Sequence, residues 1–153
     1  MNVRLAFSWV GLVVFALPML PNIAYAVFPP VGAAVSSKNI PRWLETAECI
    51  SRIAYLAAMT FLVSEKPYCV KSGWAFAAAL FLLLYYIVWV RYFVSGRDIA
   101  LLGKPFLFVP IPLAVFPVLY YLLAAIWAGN IPAAAIMAVF GAAHITVSAM
   151  SFC

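Results

Sequence analysis

Five long apolar stretches fill most of this 153-residue chain. A transmembrane helix needs about 20 predominantly apolar residues to cross a hydrocarbon core of about 30 Å. Stretches of this kind lie at about residues 5–28, 43–63, 73–94, 106–128 and 131–152. Hydrophobic residues make up 69% of the chain and charged residues 8%, which leaves too few polar side chains to coat a soluble domain. The pattern predicts an all-α, polytopic membrane helix bundle with about five transmembrane helices.

The connections between these stretches are too short to hold a soluble domain, so residues 1–153 are predicted to form a single transmembrane domain. We expect it in a bacterial inner or plasma membrane, in contact with the lipid bilayer. Arg4, an apolar run and the small residues around Tyr25 have the pattern of a secretory signal peptide. We nevertheless expect the first stretch to be retained as a span, because Pro18 and Pro21 are followed by further apolar residues.

The basic residues fall on two sides of a five-span chain. Nine Lys and Arg give a net charge of +5, but they are scattered through the loops, so nucleic-acid binding is not expected. One side carries three of them and the other five: Arg4, Lys66 and Lys71 against Lys38, Arg42, Arg91, Arg97 and Lys104. The positive-inside rule therefore favours an outside N-terminus. Arg91, close to a span end, is expected to reach towards the head groups.

Four prolines between residues 105 and 117 mark the fourth stretch as irregular. Proline lacks a backbone N–H and fits the first turn of a helix, so a helix is predicted to begin near Pro112 and residues 106–111 are predicted to be non-helical. Pro117 should kink that helix and free the Leu113 carbonyl. The kink could serve packing alone, or the broken backbone could line a polar cavity.

Only Gly129-Asn130 separates the fourth and fifth stretches, which predicts a tight antiparallel hairpin. Asn130 is a suitable cap for the fifth helix. Small residues recur every four positions at Ala134, Ala138 and Ala142, and this stripe is predicted to form the contact between the two helices.

Ionisable residues within an apolar span are expensive and rare. Arg52 is the tenth residue of the stretch 43–63, and Glu48 precedes it by four residues on the same helix face. Tyr55 extends this face. The pair could fix helix register as a buried ion pair, or it could form a binding or proton-handling site.

His144 lies near the centre of the fifth stretch, with Ser148 on the same face. It could be a neutral histidine that hydrogen-bonds between helices. Alternatively, it lies opposite Glu48 and Arg52 as the titrating member of one polar pocket. The candidate ligand-binding residues are therefore Glu48, Arg52, Tyr55, His144 and Ser148.

Two spacings resemble motifs of the CAAX-protease and bacteriocin-processing intramembrane family: Glu48-x-x-x-Arg52 and Phe140-x-x-x-His144. The resemblance implies that a glutamate and histidines activate water. This chain departs from the family in having Ala47 where a second glutamate would stand, and in having too few histidines and spans. As a whole the chain resembles uncharacterised small multi-pass bacterial membrane proteins, on the basis of the stretch from residues 85–98 through residues 110–130.

Three functions remain open. The chain could bind or transport a small molecule, ion or lipid through an intramembrane polar pocket. It could be an accessory or scaffold subunit that docks a membrane-protein partner or a second copy. It could also be a degenerate intramembrane hydrolase, although no catalytic set is predicted and an enzyme is not expected. No cofactor or metal is expected, because the three cysteines and one histidine show no ligand spacing. A cavity that reaches Glu48, Arg52 and His144 would favour the first function, and a filled core the second.

Overall fold

The computed structural model of the protein describes residues 3–31, 40–65, 68 and 72–152. The regular elements of these residues are β1 (Val3–Leu5), α1 (Trp9–Ala16), α2 (Met19–Val27), α3 (Arg42–Phe61), β2 (Leu62–Ser64), α4 (Gly73–Val94), a single 3₁₀ turn (Ile99–Leu101), α5 (Pro112–Trp127) and α6 (Ile131–Phe152). The predicted fold class, an all-helical bundle, is confirmed.

The main helix contacts pair α4 with α5, α3 with α6, and α5 with α6, while α1 lies against α3. β1 and β2 pair antiparallel at one end of the bundle, with Val3 opposite Ser64. At the other end, Val31 forms an isolated bridge with Asp98. Successive helical segments, with α1 and α2 taken together, therefore run in alternating directions between these two ends.

Two helices, α4 and α6, are long and apolar enough to cross a membrane. The pair α1–α2 would be a third span, bent by 45° at the break between the two helices. α5 is apolar but has only 16 residues, and α3 carries four charged side chains. The structure thus supports the predicted membrane location, while the total of five spans stays a prediction.

The outer face of α4 is as apolar as its inner face. Its buried side includes Tyr85, Val88 and Tyr92, whereas Leu83 and Val90 on the opposite side are more than half exposed. A helix that is apolar all round needs an apolar environment on both sides. Hydrocarbon chains can supply it on the exposed face of α4.

The break between α1 and α2 falls at Leu17-Pro18, where the backbone loses its helical hydrogen bonds. Pro18 has no N–H to offer the Val14 carbonyl four residues earlier. Four tyrosine hydroxyls donate to carbonyls around the break: Tyr120 to Val14 at 3.0 Å, Tyr121 to Phe15 at 2.9 Å, Tyr86 to Leu17 at 2.7 Å and Tyr85 to Pro18 at 3.4 Å. The Asn22 amide also donates to the Pro18 carbonyl, at 2.8 Å. Side chains of α4 and α5 thereby supply hydrogen-bond donors to the backbone carbonyls at the break.

The fourth stretch is irregular at its start only. α5 begins with Pro112 in its first turn, as predicted. Residues 106–111 are non-helical, with a tight turn in which Leu107 and Phe108 both have positive φ, between the paired residues Phe106 and Val109. α5 continues through Pro117 as one helix, and the expected kink at that residue stays a prediction.

The hairpin between α5 and α6 is present. Gly129, at φ 65°, donates to the Ile126 carbonyl and Asn130 to the Ala125 carbonyl, which ends α5 in a Schellman turn. The Asn130 side-chain oxygen accepts from the backbone of Ala133, so Asn130 caps α6 as predicted. Its amide also donates to the carbonyls of Ala58 and Leu62 and thereby joins the end of α3 to the start of α6.

The predicted alanine stripe is only partly correct. Ala134 is buried, but Ala138 and Ala142 are exposed on the outer face of α6. The close approach to α5 is made instead at Gly141, where an added Cβ would lie 2.5 Å from a methyl carbon of Val118. A four-residue period drifts around a helix with 3.6 residues per turn, so the stripe does not stay on the buried face.

The basic residues can be assigned to bundle ends only where they are described. Lys38, Lys66 and Lys71 lie outside the described residues. The Arg91 guanidinium donates to the carbonyls of Leu101, Lys104 and Pro105, and its expected reach towards the head groups stays a prediction. Arg91 therefore organises the loop that follows α4.

Replacing Tyr120 with Phe should leave the Val14 carbonyl without a donor and lower the free energy of unfolding by about 1–3 kcal/mol. In a Pro18→Ala background the loss should be smaller, because residue 18 then has an N–H for that carbonyl. Chemical unfolding in detergent measures both. Tyr92→Phe is the matched control, since the buried Tyr92 hydroxyl has no partner among the described residues. Equal losses for Tyr120→Phe in both backgrounds would contradict this account.

Replacing Gly141 with Ala should destabilise the α5–α6 contact by about 1–3 kcal/mol, because Val118 is stiff and buried. The additional change Val118→Ala should restore most of the loss. Ala138→Leu, on the exposed face of the same helix, should change the melting temperature little. Thermal unfolding in detergent would contradict the assigned interface if Ala138→Leu proved the more damaging substitution.

Candidate functional site

Glu48, Arg52 and His144 converge, as predicted. Glu48 and Arg52 lie one helical turn apart on α3, and the Glu48 Oε1 accepts a hydrogen bond from the Arg52 Nη2. The same carboxylate oxygen lies 3.0 Å from the Nδ1 of His144 on α6. The carboxylate therefore bridges two helices that pack closely against each other.

Phe140 completes this cluster. It precedes His144 by one helical turn, and its ring stacks on the imidazole with the centroids 5.0 Å apart and the planes at 13°. The Arg52 guanidinium carbon lies 5.7 Å from the centre of the Phe140 ring, within the range of a cation–π contact. The two residue pairs with four-residue spacing, one on α3 and one on α6, are thus in contact with each other.

The three polar side chains differ in exposure, which separates their roles. The Glu48 side chain is 11% exposed, the His144 side chain 26% and the Arg52 side chain 51%. An ionised carboxylate can only accept hydrogen bonds, so the Nδ1 of His144 must donate and carry the proton. This leaves the Nε2 of His144 and most Arg52 N–H groups available to other partners.

A cavity of about 360 Å³ adjoins the cluster. Arg52, Tyr55, His144 and Ser148 line it, which places four of the five candidate residues at its wall. Glu48 is not part of the wall. It lies behind Arg52 and His144 and is hydrogen-bonded to both. On α6 the lining follows one face, from Phe140 through His144 and Ser148 to Phe152.

The rest of the wall is mainly apolar and comes from α1, α2, α4, α5 with the residue before it, and the start of α6. Its apolar members are Phe15, Met19, Trp89, Ile111, Leu113, Ala114, Pro117, Tyr121 and Met137. The cavity therefore combines one polar side, formed by α3 and α6, with an aromatic and aliphatic surround.

The Tyr55 hydroxyl is engaged in a hydrogen bond to the backbone of another helix. It donates to the Tyr121 carbonyl at 2.8 Å, and the Tyr55 side chain is almost fully buried. The bond joins α3 to α5 beside the cavity.

Two polar residues at the wall were missed by the sequence reasoning. The Asn22 amide donates to the Tyr85 hydroxyl at 3.0 Å, and both residues line the cavity. Asn22 was the one detectable signal, because a lone asparagine within an apolar stretch needs a partner. Nothing local to Tyr85 could have indicated that it faces the break after α1.

Among the described residues, no group of three His, Cys, Asp or Glu side chains is placed to hold a metal ion. The cluster offers one carboxylate and one imidazole, and the carboxylate already accepts two hydrogen bonds from protein donors.

Comparison of the chain with protein-family models, with curated proteins and with solved structures finds no match. The function of the site has to be inferred from its geometry.

Replacing Glu48 with Gln should destabilise the bundle by about 1.5–3 kcal/mol, because the bridging carboxylate loses its charge-assisted hydrogen bonds. The double variant Glu48→Gln with Arg52→Met should recover part of this loss, because the arginine no longer lacks its counter-charge. Glu45→Gln, an exposed position one turn earlier, is the matched control. Chemical unfolding in detergent measures all three, and a double variant less stable than Glu48→Gln would contradict the assigned pairing.

Proposed function

We propose that this chain is a multi-pass protein of the bacterial cell membrane that binds a small molecule in the cavity beside Arg52 and His144 and carries it into or across the membrane. The observation that carries the proposal is a cavity of about 360 Å³ with these two side chains at its wall. Its polar groups are held in place from behind by Glu48.

The size and lining of the cavity suit a small ligand. Ligand pockets in proteins commonly measure about 300–1,000 Å³ and combine apolar walls with a few placed polar groups. Here aromatic and aliphatic side chains form most of the wall, and Arg52, His144 and Ser148 supply polar groups on one side. A partly apolar molecule with a polar head fits this division.

The same observation separates the proposal from the alternatives. An accessory or scaffold subunit needs no internal cavity, and a filled core would have favoured that function. A hydrolase of the intramembrane type needs a carboxylate free to activate water. Glu48 already binds Arg52 and His144 and stands behind the wall, and Ala47 precedes it in place of a second glutamate.

The alternating direction of the helical segments supports the multi-pass part of the proposal. α3 and α5 pack between helices that are long and apolar enough to cross a membrane. Both would therefore lie at membrane depth even though α5 is short and α3 is charged. The buried carboxylate of Glu48 on α3 then has its partners, Arg52 and His144, within the protein.

Purification in mild detergent followed by native mass spectrometry tests the ligand proposal. The wild-type protein should retain a bound small molecule or lipid, whereas Ser148→Phe should lose it because the new ring occupies the cavity. Thr146→Phe is the matched control, since Thr146 is exposed on the same helix. Equal retention by wild type and Ser148→Phe would contradict binding in the cavity. A protein partner in place of a small molecule would instead support the accessory function.

A further inference from the structure

We propose that the ligand is an anionic amphiphile whose carboxylate or phosphate head lies between Arg52 and His144, and that its binding takes up one proton on His144. This inference rests on the proposed binding function and goes further by naming the charge of the ligand and the proton that accompanies it. It follows from the free donors at the wall, the apolar surround and the balance of charge.

The donors at the polar wall match an oxyanion. A guanidinium has five N–H donors, and only one nitrogen of Arg52, its Nη2, is hydrogen-bonded to Glu48. The remaining donors belong to a side chain that lines the cavity and is half exposed. Arginine forms its strongest hydrogen bonds with carboxylate and phosphate groups.

Apart from Arg52, the described residues of the wall carry no permanent charge that could bind a second polar end. Met19, Ile111 and Leu113 face the cavity, together with the aromatic rings of Phe15 and Trp89. An alkyl or aryl tail can fill this region. The Asn22 amide group is already hydrogen-bonded to the Pro18 carbonyl and the Tyr85 hydroxyl.

The balance of charge requires a proton. Glu48 and Arg52 carry opposite charges and cancel, so an added anion would leave one uncompensated negative charge at membrane depth, which is costly. His144 is the remaining group at the wall that can become positive. Its Nδ1 is committed to Glu48, and a proton from the solvent on Nε2 would both neutralise the anion and donate to it.

The other groups around His144 do not provide that charge. Glu48, Arg52 and Tyr55 face it from α3, Tyr121 from α5, and Tyr85 across the cavity from α4. Of these, the three tyrosines can lose a proton but cannot become positive. Glu48 could take up a proton on Oε2, but this would remove the charge that strengthens its bonds to Arg52 and His144 and would add no donor at the cavity, because Glu48 is not part of the wall.

The pH dependence has a definite sign. The complex holds one more proton than the free protein and ligand, so affinity falls as pH rises. The dissociation constant should increase by about tenfold per pH unit over the range in which the free imidazole is neutral.

Three probes with the same alkyl chain and different head charge test the inference: octanoate, octanol and octylammonium. The full-length protein is reconstituted in phosphatidylcholine nanodiscs, and isothermal titration is corrected with empty nanodiscs. Titration in two buffers with different ionisation enthalpies gives the number of protons taken up. We expect octanoate to bind at least about tenfold more tightly than octylammonium, with uptake of about one proton at pH 8.

Two variants separate the roles of the two head-binding residues. His144→Gln keeps an amide donor for Glu48 and should bind octanoate more weakly, without proton uptake and without pH dependence. Arg52→Met should weaken octanoate binding by about tenfold or more and affect octanol little. Arg42→Met is the matched control at the exposed start of the same helix and should bind octanoate as the wild type does.

The outcomes distinguish this inference from the proposed function. Octanol binding as tight as octanoate binding, or octanoate binding without proton uptake, would overturn the anion–proton inference and leave a ligand-binding cavity in place. Preferential binding of octylammonium would overturn it as well. If none of the three probes binds and no small molecule co-purifies, the proposed function and the inference both fail.

Discussion

The interior of the bundle depends on how the backbone is satisfied around Pro18. Membrane hydrocarbon offers no hydrogen-bond donors, so each carbonyl freed by a proline at depth must find a donor within the protein. Tyr120 donates to the Val14 carbonyl that Pro18 leaves without a helical donor, and three further tyrosine hydroxyls and Asn22 donate to carbonyls around the same break. These bonds hold the bent pair α1–α2 against the remaining helices. The bend also brings Met19 and Asn22 to the cavity, so the same hydrogen bonds that support the bend help to shape the cavity wall.

The polar cluster opposite the bend has a complementary role. Glu48 binds Arg52 on its own helix and His144 on α6, and it is the least exposed of the three side chains. A buried carboxylate with two donors fixes where those donors point. Arg52 and His144 consequently present their remaining groups to the cavity. The residue that holds the site together is therefore distinct from the residues that would touch a ligand.

Local chemistry made part of this structure predictable. The length and apolarity of α4 and α6, the helix start at Pro112 and the cap at Asn130 each follow from short stretches of sequence. The meeting of Glu48, Arg52 and His144 could be predicted because isolated charges in a span need partners. The tyrosine bonds at Pro18 could not, because they depend on which distant helices pack beside the break. The contact at Gly141, in place of the alanine stripe at Ala138 and Ala142, was likewise decided by the rotation of α6 against α5.

The half-exposed side chain of Arg52 has a consequence for the surrounding lipid. In the proposed multi-pass arrangement, a guanidinium on α3 that the protein covers only in part would be solvated by water or by phosphate groups drawn towards it. The neighbouring helix α5 has 16 residues and is about 24 Å long, shorter than a typical hydrocarbon core of about 30 Å. The partly exposed guanidinium and the short helix both favour a locally thinner bilayer. The hydrocarbon layer beside α3 and α5 should therefore be thinner and more hydrated than elsewhere. Molecules from the head-group layer would then reach the cavity without crossing the full depth of the hydrocarbon.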